Sequence, residues 1–280
     1  MSTEQVRAGS EWLRLREPAD AEARAADLVK EVRTSLTTGR TVVVRDLGCG
    51  SGSMARWLAH RLNGAQHWVM YDRDAELLTL AEQDPPRLAA DGAAVTFETH
   101  CRDITRLGPD ELAGTDLVTA SALLDMMTAD ELARFVATCA AAGCPVLIAL
   151  SVTGRVELAP ADPFDETVAD AFNAHQRRHT AGGALLGPDA VRAAVDGFGR
   201  LGLDVQVRPS PWRLGPDRAA LTAEWFAGWL GAACEQRPDL EAPAVAYARR
   251  RLDQAAAGDL AVTVHHLDLL ARHETRPAAE

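Results

Sequence analysis

The chain has 280 residues, 47% of them hydrophobic and 25% charged, which is ample apolar material for a buried core and the balance of an ordinary globular protein. Asp and Glu number 40 against 29 Lys and Arg, and a net charge of -11 repels a phosphate backbone at long range, so no nucleic-acid partner is expected. No stretch reaches the ~20 apolar residues of a spanning helix, and Met1 to Ser10 lacks the apolar core of a secretory signal, so a cytoplasmic chain without a membrane partner is expected.

The five cysteines (Cys49, Cys101, Cys139, Cys144, Cys234) cannot all pair with one another and form no CxxC, which reads as reduced thiols. Residues 1–40 form a helical arm: Trp12, Leu13 and Leu15 precede Pro18, and Ala23, Ala26, Leu28, Val29 and Val32 follow at helical spacing up to Gly39. Thr41-Val42-Val43-Val44 is a β-branched run with the character of a buried strand. It ends in Gly48-Cys49-Gly50-Ser51-Gly52, and a helix continues through Met54, Trp57, Leu58 and Leu62.

Strands are expected at 68–71, 94–97, 116–120 and 145–150, with helices through Leu77–Ala81 and Asp130–Ala141 between them. That alternation predicts an α/β fold, a doubly wound and mostly parallel Rossmann-like sheet covered on both faces. A helix at 189–201 and strands at 204–207 and 260–264 extend it. Two stretches break the rhythm, 153–186 with one helix (165–179) and 213–258 with two helices separated by Pro238. Both are read as cap insertions over the crevice of one domain whose cofactor-binding half is 41–152.

Asp46-Leu47-Gly48-Cys49-Gly50-Ser51-Gly52 carries the chemistry. Glycines let the backbone turn sharply and approach a ligand with no Cβ in the way. Dinucleotide enzymes place GxGxxG in the same position, and an NAD(P)-dependent oxidoreductase is the competing reading. Here the spacing is GxGxG, Ser53 stands where that motif has glycine, and Asp46 precedes the loop. A carboxylate is awkward beside a pyrophosphate and suits a ligand bearing an ammonium and a sulfonium.

In these residues the sequence resembles the class I S-adenosylmethionine-dependent methyltransferases of small-molecule type, well over 41–152 and in outline beyond. The resemblance implies S-adenosyl-L-methionine as cofactor, with Asp46, Gly48, Cys49, Gly50 and Gly52 under its methionine part. It implies an acid at the end of strand two; Asp72, about twenty residues past Gly52, is the ribose ligand, with Arg73 beside it, and Asp74 is the cap of the next helix. Asp103 and Ile104 fall in the adenine segment, although Asp103 also reads as a turn-forming aspartate. Ser121, at the exit of strand four, faces the methionine or the substrate.

Methyl transfer is an in-line displacement, so alignment matters more than acid–base help. His175, on a face with Val168, Phe172 and His179, is the candidate general base, and Asp125 the candidate for orienting an acceptor amine or hydroxyl. Arg16, Arg24, Gln176 and Trp212 are candidate substrate contacts, Arg16 or Arg24 by pairing with a carboxylate of cofactor or substrate. His175 and His179 lack the glutamate and third ligand of a metal site, so no metal is expected. His265 and His266 read as structural or exposed. The predicted activity is methyl transfer to a small organic acceptor. A methyltransferase-like protein that binds the cofactor without transferring methyl has the same motifs, and a homo-oligomer is open.

Overall fold

The computed structural model describes residues 9–36 and 39–273; positions 1–8 and 37–38 of the predicted arm, and the last seven residues of the chain, lie outside the described residues. Two helices open it, α1 (Ser10–Ala23) and α2 (Ala26–Ser35). Pro18 is carried inside α1, where it removes one hydrogen bond, and the break falls later, at Arg24, whose ψ is 135°. The cofactor half then alternates: β1 (Val42–Leu47), α3 (Ser53–Ala59), β2 (Gln66–Asp72), α4 (Ala75–Gln83), β3 (Val95–Cys101), β4 (Leu117–Ser121), α5 (Ala129–Ala141) and β5 (Val146–Ala159). Asp74 caps α4 through its side chain, which accepts from the N–H groups of Glu76 and Leu77. Thr128 caps α5 in a capping box with Glu131.

The second half holds α6 (Phe164–Gln176), a hairpin of β6 (His179–Thr180) and β7 (Gly183–Ala184), α7 (Ala190–Arg200), β8 (Leu203–Pro209), β9 (Trp212–Leu214), α8 (Ala219–Gln236), α9 (Glu241–Ala257) and β10 (Ala261–His273). The main sheet runs β3-β2-β1-β4-β5-β10-β8, parallel from β3 to β5, with β10 antiparallel to both of its neighbours and β9 paired to β10. The architecture is the doubly wound, mostly parallel α/β sheet expected from the sequence. The chain order reverses at β1, between β2 and β4, and that switch point opens a crevice at the carboxyl ends of the strands.

Two apolar layers sandwich the sheet. Leu28, Val32, Met54 and Leu58 pack one face, and Phe135, Val136, Ala194 and Phe198 the other. A third core joins α6, α8 and α9 to β9 and the upper part of β10 through Leu221, Phe226, Trp229 and Tyr247. Inside it the buried Arg251 guanidinium grips both oxygens of Asp165 at 2.6 Å, and the Tyr247 hydroxyl donates to the same carboxylate.

Three expectations need correction. Residues 153–159 are not part of a helical insertion: β5 continues for 14 residues to Ala159 because β10 pairs with it as far as Ala261. The last strand spans 261–273, not 260–264, for the same reason. The helix read as 165–179 ends at Gln176, so His179 lies in β6 and does not share a helical face with His175.

Candidate active site

The loop after β1 is shaped by backbone that only glycine adopts cheaply. Gly48, Gly50 and Gly52 have φ of +73°, +54° and +85°. The N–H groups of Gly48 and Cys49 both donate to the Tyr71 carbonyl, tying the loop to the end of β2. Asp72 completes the tie: Oδ2 accepts from the Gly50 N–H at 2.8 Å and Oδ1 from the Asp74 N–H at 2.9 Å. The carboxylate predicted to hold ribose thus also fixes the loop.

Asp46, on β1 beneath that loop, is fully buried. Its Oδ1 accepts from the Thr119 hydroxyl at 2.8 Å across the β1–β4 pair, and Oδ2 has no hydrogen-bond partner. Burial pushes this carboxyl up to about 7, against the Thr119 hydrogen bond and the Arg24 charge, with Asp72 adding to the rise. An orphaned buried acceptor under a glycine loop is the cradle that a cationic amino-acid moiety fits.

Arg24 reaches the same place from the α1–α2 junction. Its Nη2 donates to Ser53 Oγ at 3.0 Å and Ser121 Oγ at 3.3 Å, and the guanidinium carbon lies 5.4 Å from the Trp57 ring. Cys49 is buried and its thiol is pushed well above the ordinary range, mainly by burial, so it packs the loop as an unreactive side chain. Asp103 does what its turn reading says, accepting from the Thr105 N–H and hydroxyl at 3.0 and 2.7 Å. Ile104 is half-buried beside it, and Arg73 is exposed.

A cavity of about 170 Å³ opens at Ala122, one residue past Ser121. Ala122 has a φ of +52°, and Leu150, also in the lining, one of +56°, so strained backbone contributes to the wall at both residues. Five rings wall the cavity: Trp12, Phe172, Trp212, Trp225 and Trp229. The polar lining includes Asp125, Arg16, His265 and His266. The overshoot of β5 and β10 beyond the sheet supplies its aliphatic side through Val152, Val156 and Val264.

Arg16, Trp212 and Asp125 therefore meet where the sequence placed substrate contacts. Arg16 pairs with Asp20 at 3.0 Å while stacking 4.9 Å from the Trp212 centroid, and Trp212 Nε1 donates to the same Asp20 at 2.9 Å. Gln176 touches the site at second hand, its amide 3.5 Å from Asp125 Oδ2. Burial raises the Asp125 carboxyl, with Arg16 and Arg178 opposing.

His175 is a correction. Its Nε2 sits 3.2 Å from Glu235 Oε2 on α8, and it does not line the cavity. A residue one helical turn along from Phe172 that faces α8 cannot take a proton from a ligand in the cavity, so the base assignment is dropped. His266, read from sequence with His265 as structural or exposed, is buried in β10 against Trp212 at 5.2 Å between ring centroids and lines the cavity. Burial, helped by Arg16, lowers its imidazole to about 3 and keeps it neutral. Among the described residues no three His, Cys, Asp or Glu side chains gather as a metal site, and no helix is long and apolar enough to cross a membrane.

The family model described as a methyltransferase domain matches residues 44–145, the span that carries Asp46, the glycine loop, Asp72, Asp103, Ser121 and Asp125. Residues 44–145 are a methyltransferase domain. The residues present fit S-adenosylmethionine: an orphaned carboxylate oxygen, three left-handed glycines and an acid at the end of β2. Solved structures similar to this chain include a cyclopropane synthase from Mycobacterium tuberculosis (12% identity, 94% of each chain covered, TM-score 0.49). Another is an S-adenosylmethionine-dependent methyltransferase from Geobacter sulfurreducens in complex with S-adenosylhomocysteine (15% identity, 96% of this chain and 100% of that chain, TM-score 0.43). No curated protein matches the sequence.

Proposed function

We propose that the protein transfers a methyl group from S-adenosylmethionine to a small organic acceptor bound in the aromatic cavity. One observation carries the reading: residues 121–125 join the two sites, Ser121 meeting Arg24 beside the glycine loop while Ala122 and Asp125 line the cavity. Leu123 between them abuts Gly48, at 3.2 Å from the position a Cβ would take there. A donor in the loop and an acceptor in the cavity are therefore neighbours.

Asp46 and Arg24 hold the amino and carboxylate ends of the methionine part, and Asp72 holds the ribose hydroxyls. When bound, the cofactor supplies a methyl carbon already activated by its sulfonium, so the protein's task is alignment and exclusion of water. The cavity walls do both: five rings fix a flat or compact acceptor and leave little room for solvent. A net charge of -11 and a cavity of ring size favour a metabolite over a nucleic acid.

Calorimetric titration with S-adenosylhomocysteine and, separately, NADH tests the cofactor half of the proposal. Binding of the first alone is expected; binding of NADH alone would overturn it. Transfer of labelled methyl to a panel of small acceptors tests the second half, and a protein that binds cofactor yet methylates none would be a binding protein.

A further inference from the structure

We infer that the acceptor is an amine, held through its nitrogen by Asp125 inside the aromatic box; the inference rests on the methyl-transfer reading above. The first argument is charge. Arg16 in the lining is already neutralised by Asp20, and the cavity-lining Arg155 is paired with Glu157. Among the described residues Asp125 is the one lining charge without an ionic partner at contact distance, the nearest side-chain donor being the amide of Gln176, 3.5 Å away.

The second argument is access. Nδ1 of His266 and Nε1 of Trp229 make no hydrogen bond, but both belong to neutral rings, and neither presents a negative charge to a ligand. The Asp125 carboxylate does, and burial has stripped it of water that an ammonium would replace. The third is the wall itself. Arg16 already lies over the rings of Trp12 and Trp212, which leaves the stacked pair Trp225 and Trp229, with centroids 5.3 Å apart, to offer a ring face that attracts a desolvated cation. A space of about 170 Å³ suits one ring or a compact amine, since a cavity of about 150 Å³ in another protein takes up benzene.

The chemistry agrees with this placement. The bound ammonium first gives a proton to solvent, since only the neutral amine has the lone pair that attacks. The N–C bond then forms as the C–S bond breaks, leaving a neutral thioether and a positive nitrogen whose surplus proton again passes to solvent. Positive charge arrives at the nitrogen as the reaction proceeds, where Asp125 and the ring faces stabilise it.

The test uses three probes of one size, benzylamine, benzyl alcohol and benzoate, titrated against intrinsic tryptophan fluorescence at pH 7 without cofactor. Benzylamine is expected to bind at least tenfold tighter than the other two, and Asp125→Asn to remove that preference. Trp225→Leu, which leaves the carboxylate in place, should weaken benzylamine about fivefold. S-adenosylhomocysteine affinity within twofold of wild type shows that each variant is folded. Tighter binding of benzoate, equal binding of all three, or an undiminished preference in Asp125→Asn would overturn the inference. Loss of S-adenosylhomocysteine binding by the wild-type protein would instead overturn the methyl-transfer reading, whatever the probes do.

Discussion

Two carboxylates divide the work at the cofactor site, and their surroundings set the division. Asp72 spends one lone pair on each of two backbone N–H groups and keeps the others for a ligand. Asp72→Ala is expected to weaken cofactor binding by about 1.5–3 kcal/mol, the worth of hydrogen bonds to a charged group, and to loosen the loop at Gly50. Calorimetry on the folded variant checks this; unchanged affinity would remove Asp72 from the site. Asp46 behaves differently because burial raises it to about 7. Between its ordinary value of 3.8 and 7 the native state binds more protons than the unfolded one, so this group's contribution to stability falls as pH rises through that window. A cationic ligand needs the ionised form, so cofactor affinity should rise about tenfold per pH unit below 7 and level off above it. Asp46→Asn should flatten that profile, and a wild-type profile already flat from pH 5.5 to 8.5 would contradict the assignment. The sequence showed both acids and their spacing. It could not show that one is left with an orphaned oxygen and the other tied to the loop, because that depends on Thr119 reaching Asp46 from β4 and Gly50 reaching Asp72 from the loop after β1.

At the scale of elements, the β1–α5 half was legible because its strands are short apolar or β-branched runs closed by turns, and α4 and α5 carry side-chain caps in Asp74 and Thr128. The second half was less so. Thr153 to Ala159 reads Thr-Gly-Arg-Val-Glu-Leu-Ala, with a glycine and two charges, and nothing local marks it as strand. Pairing with β10 makes it one, a tertiary effect that outweighs propensity. Asp268 on β10 anchors this region. It accepts from the Leu150 N–H at 2.7 Å, where φ is positive, from the Ala25 N–H at 2.8 Å, and from the Ser210 hydroxyl. Asp268→Ala should cost about 3 kcal/mol or more by leaving buried donors unpaired, read as a lower midpoint in urea. Asp268→Asn, which keeps an acceptor oxygen, should lose less; equal losses would mean the charge and not the acceptor count matters.

Across the whole molecule, α1 is the piece that touches both halves of the site. Trp12 and Arg16 line the cavity, Leu13 Cδ1 lies 3.5 Å from where a Gly50 Cβ would stand, and Glu17 grips Arg56 through two contacts of 2.7 Å. Arg56 in turn donates to the Ser51 carbonyl inside the glycine loop. The arm is therefore bound to the loop by an ion pair that is neither exposed nor sealed, with side chains 20% and 26% accessible. Such a pair should be worth more than a surface one and less than a buried network. Reversing one charge, Glu17→Arg, is expected to speed cofactor dissociation about fivefold to tenfold, because Arg56 is repelled and Leu13 no longer rests on Gly50. Adding Arg56→Glu should recover part of the loss by restoring an opposite pair in the reverse sense. Stopped-flow displacement of S-adenosylhomocysteine reads both. If the double variant releases cofactor faster than the product of the single effects predicts, Arg56 acts through Ser51 alone and the arm contributes only the cavity wall.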